Sequence, residues 1–298
     1  MKTKVLNKKW KDRIFIFTLI ILPITHFFVF WLYVNLSSIM MAFQNMAGNF
    51  TLEWFSLFVD ELTLPDSNIS TAIVNTLKYF LVTNFINTPI GYIAAYFFYK
   101  KIFGYKAFRV IFFLPGLISG VIMTSLYSSL IAPDGAIGII LQKIFGMKEV
   151  PIFLADSRYA TNAMLIYMIW VGIGGNLILF SSAMSRIPAE IIESGQIDGV
   201  NMVQEIWYFI IPLTMSTLVT VMTLAVAGLF MSSGPILLLT QGRYETYTLD
   251  YWIYEKVTGY SKNLNYASAV GLIFTMIGVP ITLLSRKLLS KLDSGVQY

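Results

Sequence analysis

Few side chains here can make or break bonds. The 298 residues include no cysteine and one histidine, His26, which lies inside an apolar run. That excludes disulfides, thiol nucleophiles and cysteine-ligated metals. It also leaves no His/Cys zinc cluster and no Ser–His or Cys–His nucleophile pair. No GxxxxGK[ST] phosphate loop occurs, so the chain carries no P-loop nucleotide site of its own. What remains is binding chemistry, from uncharged amides and hydroxyls within apolar stretches and from one run rich in acidic and small residues at 186–212.

The embedded polar groups are Asn84, Asn87 and Thr88; Ser119, Thr124 and Ser125; Asn176; and Thr217, Thr220, Thr223, Ser232 and Ser233. Amides and hydroxyls bind sugars by hydrogen bonds, and the aromatic faces of Tyr127, Tyr167 and Trp170 suit sugar rings. The candidate substrate path is therefore Asn84, Asn87, Tyr127, Tyr167, Trp170, Asn176, Thr223 and Ser232. The same residue types also serve interhelical packing, as Gly172, Gly174 and Gly175 do. His26 has no acidic neighbour in its run and is expected to pack rather than relay protons. Lys78 is expected to snorkel to headgroups.

The run at 186–212 is rich in local signals. Pro188 suits the first turn of a helix, and Glu190 sits near the positive N-terminal end. Ile187, Ile191 and Ser194 recur at helical spacing and define one apolar or small side. Asp198-Gly199 reads as a stop, with glycine in the left-handed conformation. Asn201 and Gln204 form a capping-box pattern that starts a second helix. The run is expected to be helix, sharp turn, helix, exposing Glu190, Glu193, Asp198 and Glu205, and either to dock a partner or to act as a solvated linker.

These groups must be held by membrane helices. Charged residues make up 12% of the chain and mean hydropathy is +0.69, against roughly 25% charged in soluble domains. Six intervals are free of Asp, Glu, Lys and Arg, and each is long enough for one helical span. The predicted spans are about 14–40, 71–99, 108–132, 161–183, 208–231 and 264–286, in a membrane domain at 14–290. A tail at 1–13, a loop at 186–207 and a tail at 291–298 lie on one side. That side carries 14 of the 21 basic residues, so both ends are expected in the cytoplasm. Gly135–Gly146 is expected to form an amphipathic helix at the outer interface, and Ile236–Thr240 to belong to an outer loop. Trp54 and Trp252 suit the outer aromatic belt.

The 186–212 run resembles the cytoplasmic "EAA" loop of ABC-importer permeases. Glu193-Ser194-Gly195, Asp198-Gly199 and Ile210-Ile211-Pro212 carry the likeness, with Ile187-Pro188-Ala189-Glu190 matching the carbohydrate branch. Asn75-Thr76, and Arg109 followed by Phe112-Phe113-Leu114-Pro115, add to it. Ser194-Gly195 replaces the two alanines of the family pattern. The resemblance is to the first-half type, similar to the larger maltose or glycerol-phosphate permease subunit.

This likeness implies an all-α, polytopic bundle of six transmembrane helices with the ABC type I importer permease fold, in a bacterial cytoplasmic (inner) membrane. It implies that Glu190, Glu193, Ser194, Gly195, Asp198 and Gly199 contact a cytoplasmic ATPase. The implied partners are a second homologous permease, two ABC ATPase subunits and an external solute-binding protein. ATP and Mg would sit on the ATPases, with no cofactor or metal on this chain. The implied cargo is a carbohydrate, with an oligosaccharide favoured over a polyol or glycerol-phosphate. An ion-coupled secondary transporter would need carboxylates at mid-membrane, and the uncharged intervals contain none.

Overall fold

The computed structural model describes residues 2–64, 67–231, 234–260 and 262–292. Among the described residues the regular structure is helical, with one isolated bridge between Gln44 and Phe50. Helix α1 (Lys2–His26) runs through a π-helical turn at Phe27–Tyr33 into α2 (Val34–Ala42), and α3 (Glu53–Thr63) follows. Helix α4 (Asn68–Val82) passes through a second π turn, Thr83–Asn87, into α5 (Thr88–Tyr99). Then come α6 (Tyr105–Leu117), α7 (Gly120–Ile131), α8 (Ala136–Lys143), α9 (Ala160–Gly172) and α10 (Leu177–Met184). Helices α11 (Ala189–Ile197) and α12 (Met202–Glu205) precede a third π turn, Ile206–Ile210. The chain ends with α13 (Ile211–Leu213), α14 (Met215–Ala227), α15 (Ile236–Leu239), α16 (Leu249–Thr258) and α17 (Leu264–Leu289).

Five helical stretches among the described residues are long and apolar enough to cross a membrane: Trp10–Ala42, Asn68–Tyr99, Gly120–Lys143, Ala160–Met184 and Leu264–Leu289. A sixth is possible if Met202–Leu213 and Met215–Ala227, bent by 73°, count as one. The expected continuous helix over 108–132 is interrupted: Ile118 is extended (ψ 145°) and separates α6 from α7. Pro115 lacks the N–H that would bond back one turn, and Gly116 and Gly120 are weak helix formers.

Two of the π turns have a readable cause. Each ends two residues before a proline, Pro89 after Thr83–Asn87 and Pro212 after Ile206–Ile210. A proline in a helix lacks the donor for the carbonyl four residues back, and its ring collides with that carbonyl. Widening the preceding turn to π geometry relieves the collision.

The chain divides into two compact units. In the first, built from Met1–Asp60 and Lys256–Ile273, Asn265 Nδ2 donates to the carbonyls of Met41 (3.0 Å) and Gln44 (2.8 Å). Trp54 Nε1 donates to the same Gln44 carbonyl at 2.8 Å. Trp54 is thus buried with a bonded indole rather than standing in an aromatic belt. The second unit, Glu61–Glu255 with Phe274–Tyr298, holds the loop and cavities described next. Its Trp252 is buried as well.

Its core packs Tyr92, Tyr96 and Phe98 of α5 against Leu177, Phe180 and Met184 of α10, with Ile187, Ile192 and Ile210 beside them. Ala94 and Ala95 keep α5 slim on its buried side, the small-residue device by which helices approach closely in lipid.

Candidate functional site: a loop helix and a membrane cavity

Helix α11 is set by its ends. Pro188 stands at the N-cap (φ −57°), one position before the expected first turn, and Glu190 lies in the first turn. At the other end Gly199 has φ +76°, a conformation that costs other residues about 1–2 kcal/mol. Its N–H donates to the Gln196 carbonyl (3.1 Å), and the Val200 N–H donates to the Gly195 carbonyl (3.0 Å). This pair of bonds is a Schellman closure. Asn201 and Gln204 then complete a capping box: Gln204 N–H donates to Asn201 Oδ1 (3.0 Å), and Asn201 N–H donates to Gln204 Oε1 (2.9 Å).

The faces of α11 differ from the expected ones. Ile187, Ile192 and Gly195 point inward, while Glu190, Glu193, Ser194, Asp198 and Gly199 are exposed. A Cβ built on Gly195 would lie 3.1 Å from the Phe209 ring, so this glycine admits a neighbour from its own chain. The spacing groups Ser194 with Ile187 and Ile191 on one apolar or small side, and the resemblance sets both Ser194 and Gly195 against the ATPase. Ser194 instead lies on the open face, its hydroxyl bonded to the Ile191 carbonyl at 2.9 Å.

Glu205 is the second correction. It was expected in the exposed acidic set, yet it is 6% exposed. Lys100 Nζ, just past α5, reaches both of its carboxylate oxygens at 3.0 Å. Such a pair anchors strongly because removing one partner strands the other charge. Above it, the chain bends at Thr214, where the Tyr92 hydroxyl meets Thr214 Oγ1 at 2.6 Å. Helix α11 is therefore tied to α5 by the shared apolar core, α12 by the ion pair, and the bend after α13 by the hydroxyl pair.

A cavity of 530 Å³ lies between α4–α5, α7, α9 and α15. Its walls include Thr83, Asn84, Asn87, Thr124, Tyr167 and Asn176, with Met168, Val171 and Leu238, and among the described residues no Asp, Glu, Lys, Arg or His. The π turn Thr83–Asn87 supplies three of these groups. Asn84 Nδ2 donates to the Phe80 carbonyl at 2.8 Å, satisfying a backbone group within the distorted turn. Asn87 Nδ2 donates across to the Met168 carbonyl at 3.1 Å. Gly172 makes room for that amide, since a Cβ there would collide with Asn87 Nδ2. Asn87 Oδ1 is buried without a partner. A buried acceptor left so is costly.

Of the eight path residues, the structure gathers Asn84, Asn87, Tyr167 and Asn176 around this cavity. Tyr127 is excluded from the walls: it is 4% exposed, and its hydroxyl donates to the Ala163 carbonyl. Its ring packs edge-on to Tyr167 at 5.1 Å, and Trp170 lies behind them at 6.2 Å from Tyr127. Thr223 bonds the Val219 carbonyl of its own helix at 2.7 Å and is also outside the walls. Ser232 lies outside the described residues.

Sequence reasoning missed Thr83, Pro235 and Leu238. The expected outer-loop segment Ile236–Thr240 carries the short helix α15, with Ile236 1% exposed against Tyr79 and Met164 while Leu237 and Leu238 stay exposed. The signals were present in Pro89, which forces the π turn, and in Gly234-Pro235, which returns the chain toward the cavity.

Asn75-Thr76 has a structural task. Asn75 Nδ2 donates to the carbonyls of Glu245 (2.7 Å) and Tyr247 (2.9 Å), and Thr76 Oγ1 accepts from the Leu249 N–H (2.9 Å). These bonds hold a segment in which Tyr244 and Glu245 both have φ +58°. Nearby, burial and the Glu255 carboxylate push the Tyr247 phenol up to about 12. Lys78 lines a polar cleft of 340 Å³ with Arg158, Asn162 and Glu245 rather than standing alone. Arg158 is bonded to Asp156 at 2.6 Å and holds that carboxyl below its usual range.

Over residues 87–297 the chain matches the family described as "Binding-protein-dependent transport system inner membrane component". It is 26% identical to the multiple sugar-binding transport system permease protein MsmF of Streptococcus mutans, covering 97% of this chain and 98% of MsmF. It is 24% identical to the arabinooligosaccharides transport system permease protein AraP of Bacillus subtilis, covering 88% and 84% of the two chains. A chain of the bacterial alginate ABC transporter, crystallised with its alginate pentasaccharide-bound periplasmic protein, superposes with a TM-score of 0.82. The two are 23% identical, and the match covers 96% of this chain and 98% of that one.

Proposed function

This chain belongs to the family of binding-protein-dependent transport system inner membrane components, and from that premise we propose that it is a permease subunit of an ATP-driven importer of oligosaccharides. The observation that carries the proposal is the construction of α11. Its inner face is fixed to the α5–α10 core, its end is closed at Gly199, and its outer face presents Glu190, Glu193, Ser194 and Asp198. That is a helix made rigid on one side and free on the other, as docking requires.

In this reading two cytoplasmic ATPase subunits hold ATP and Mg, and one of them grips the free face of α11. The chain binds no nucleotide itself. Closure of the ATPases shifts α11 as a lever. The Lys100–Glu205 pair and the Tyr92–Thr214 contact pass the shift to α5 and to the bend above α13. A second permease completes the pathway, and an external binding protein delivers the solute. Both ends of the chain lie in the cytoplasm of a bacterium, as the distribution of basic residues favours.

The cavity favours a neutral, hydroxyl-rich solute. Amides at Asn84, Asn87 and Asn176 can donate and accept, Tyr167 offers an aromatic face, and no cation waits for a phosphate ester. The relatives named for multiple sugars and for arabinooligosaccharides support an oligosaccharide over a single polyol. An ion-coupled mechanism lacks the membrane carboxylate it would need among the cavity walls.

Uptake measured together with ATP hydrolysis in proteoliposomes tests the docking. Glu193→Lys and Gly199→Asp are expected to abolish uptake, either by failing to assemble with the ATPases or by uncoupling hydrolysis. Normal coupled uptake in both would refute it. For the cargo, Asn87→Leu should weaken solute affinity by about 3–10-fold, the value of one buried hydrogen bond. Unchanged transport kinetics would return Asn87 to packing.

A further inference from the structure

A second cleft, of 570 Å³, lies at the α11 end of the second unit. Its lining includes Tyr99, Lys101, Tyr105, Arg109, Ser181 and Ser185, with Ile192 of α11 on one side. Its electrostatics are unbalanced. Lys100 is already neutralised by Glu205, and among the described residues no ion pair is seen for Lys101 or Arg109. Lys101 and Arg109 face the cleft with no carboxylate partner. Arg109 holds its Cζ over the Phe98 ring, 5.8 Å from the centroid, a contact that leaves its charge unneutralised. Lys101 holds φ +51°, a conformation that costs a lysine free energy and places its side chain at the cleft.

The surroundings of these cations are apolar and uncovered. Phe103 is fully exposed, and Ile102 and Phe108 are 38% and 46% exposed. Two free cations and several hydroxyls in a hollow, beside bare aliphatic and aromatic groups at the end of two membrane helices, form an amphipathic site. A free anion would satisfy the cations and leave Phe103 in water. A phospholipid satisfies both, with its phosphate in the cleft and its chains over Ile102, Phe103 and Phe108. We propose that this cleft binds the phosphate headgroup of an anionic phospholipid, held by Lys101 and Arg109.

The test uses the transporter complex purified through this chain and exchanged into phosphatidylcholine nanodiscs with graded phosphatidylglycerol. Bound phosphatidylglycerol is counted by native mass spectrometry. Lys101→Gln and Arg109→Gln are each expected to weaken retention about fivefold, and together about thirtyfold. Lys143→Gln, on α8 and away from the cleft, should change nothing. Equal retention by the double variant and the wild type would overturn the proposal. Should the double variant assemble poorly, Lys101→Gln alone, in an exposed turn, decides by the same measure. Inorganic phosphate added to discs lacking phosphatidylglycerol separates the two sources. A thermal shift that depends on Lys101 and Arg109 and is as large as that with phosphatidylglycerol would assign a free anion and overturn the lipid. The site does not depend on which membrane face α11 occupies, because both leaflets of the disc carry the probe.

Discussion

The π turns at Thr83–Asn87 and Ile206–Ile210 share a cause and differ in result. Each ends two residues before a proline, Pro89 or Pro212. The first leaves Asn68–Tyr99 one continuous stretch and turns Asn84 and Asn87 toward a cavity. The second is followed by a break at Thr214 and a 73° bend. At its start, Glu205 is locked to Lys100. At these two sites a proline accompanies the widened turn, although Pro280 sits inside α17 without one. The surroundings decide whether the widened turn offers groups to a solute or anchors a loop. Asn87 Oδ1 is left without a partner, while Glu205 has both oxygens bonded. The unpaired turn is suited to binding, and the paired one to transmitting force.

If that contrast holds, the largest stability loss belongs to the paired turn. Glu205→Ala should cost about 2–3 kcal/mol, below the roughly 3–5 kcal/mol of a fully enclosed pair because Lys100 keeps some contact with water. Thermal unfolding of the purified protein measures it, and the charge-swapped Lys100→Glu/Glu205→Lys double variant should recover part. A loss no larger than that of a surface pair, about 0–1 kcal/mol, would remove the anchor from the account. Next comes the loop itself. Gly199→Val forces a β-branched residue to φ +76° and should lower stability by about 2 kcal/mol, with the same melting readout.

The unpaired turn should behave in the opposite way. Pro89→Ala restores an N–H and removes the ring, so stability should change by about 1 kcal/mol or less. The turn should nevertheless relax toward α geometry and carry Asn87 off the cavity wall, weakening solute affinity about tenfold. A variant that transports with native affinity would break the link between proline and cavity. The smallest effect is expected at Gly195→Ala. Its gain in helix propensity, up to about 1 kcal/mol, opposes a methyl placed 3.1 Å from the Phe209 ring. A clear loss would show that Phe209 cannot yield, and a clear gain that it can.

What could be read from the residues follows the range of the signal. Pro188, Gly199 and the Asn201–Gln204 pair act within four positions, and all three appear at the ends of α11 and α12. The helical, membrane-spanning class was equally legible, because charge-free runs report on the solvent directly. Partnerships over long separations were not. Nothing local distinguishes Glu205, which meets a lysine 105 positions away, from Glu190, which meets none among the described residues. Periodicity grouped Ser194 with Ile187 and Ile191 on one apolar or small side. The packing chose Ile192 and Gly195 because Phe209 fills the space beside Gly195. In the cavity, Asn84 and Asn87 could be named as polar groups in lipid. That a proline two positions on would turn them together, with Leu238 opposite, needed the fold.

The central claim is that the outer face of α11 is covered by an ATPase and the inner face by its own chain. Because the chain has no cysteine, one introduced thiol reports on one place. Ser194→Cys should react with a membrane-impermeant maleimide when the permease is purified without the ATPases and be protected once they are bound. Ile192→Cys should stay unreactive in both. Equal labelling of Ser194→Cys with and without the ATPases would contradict the account.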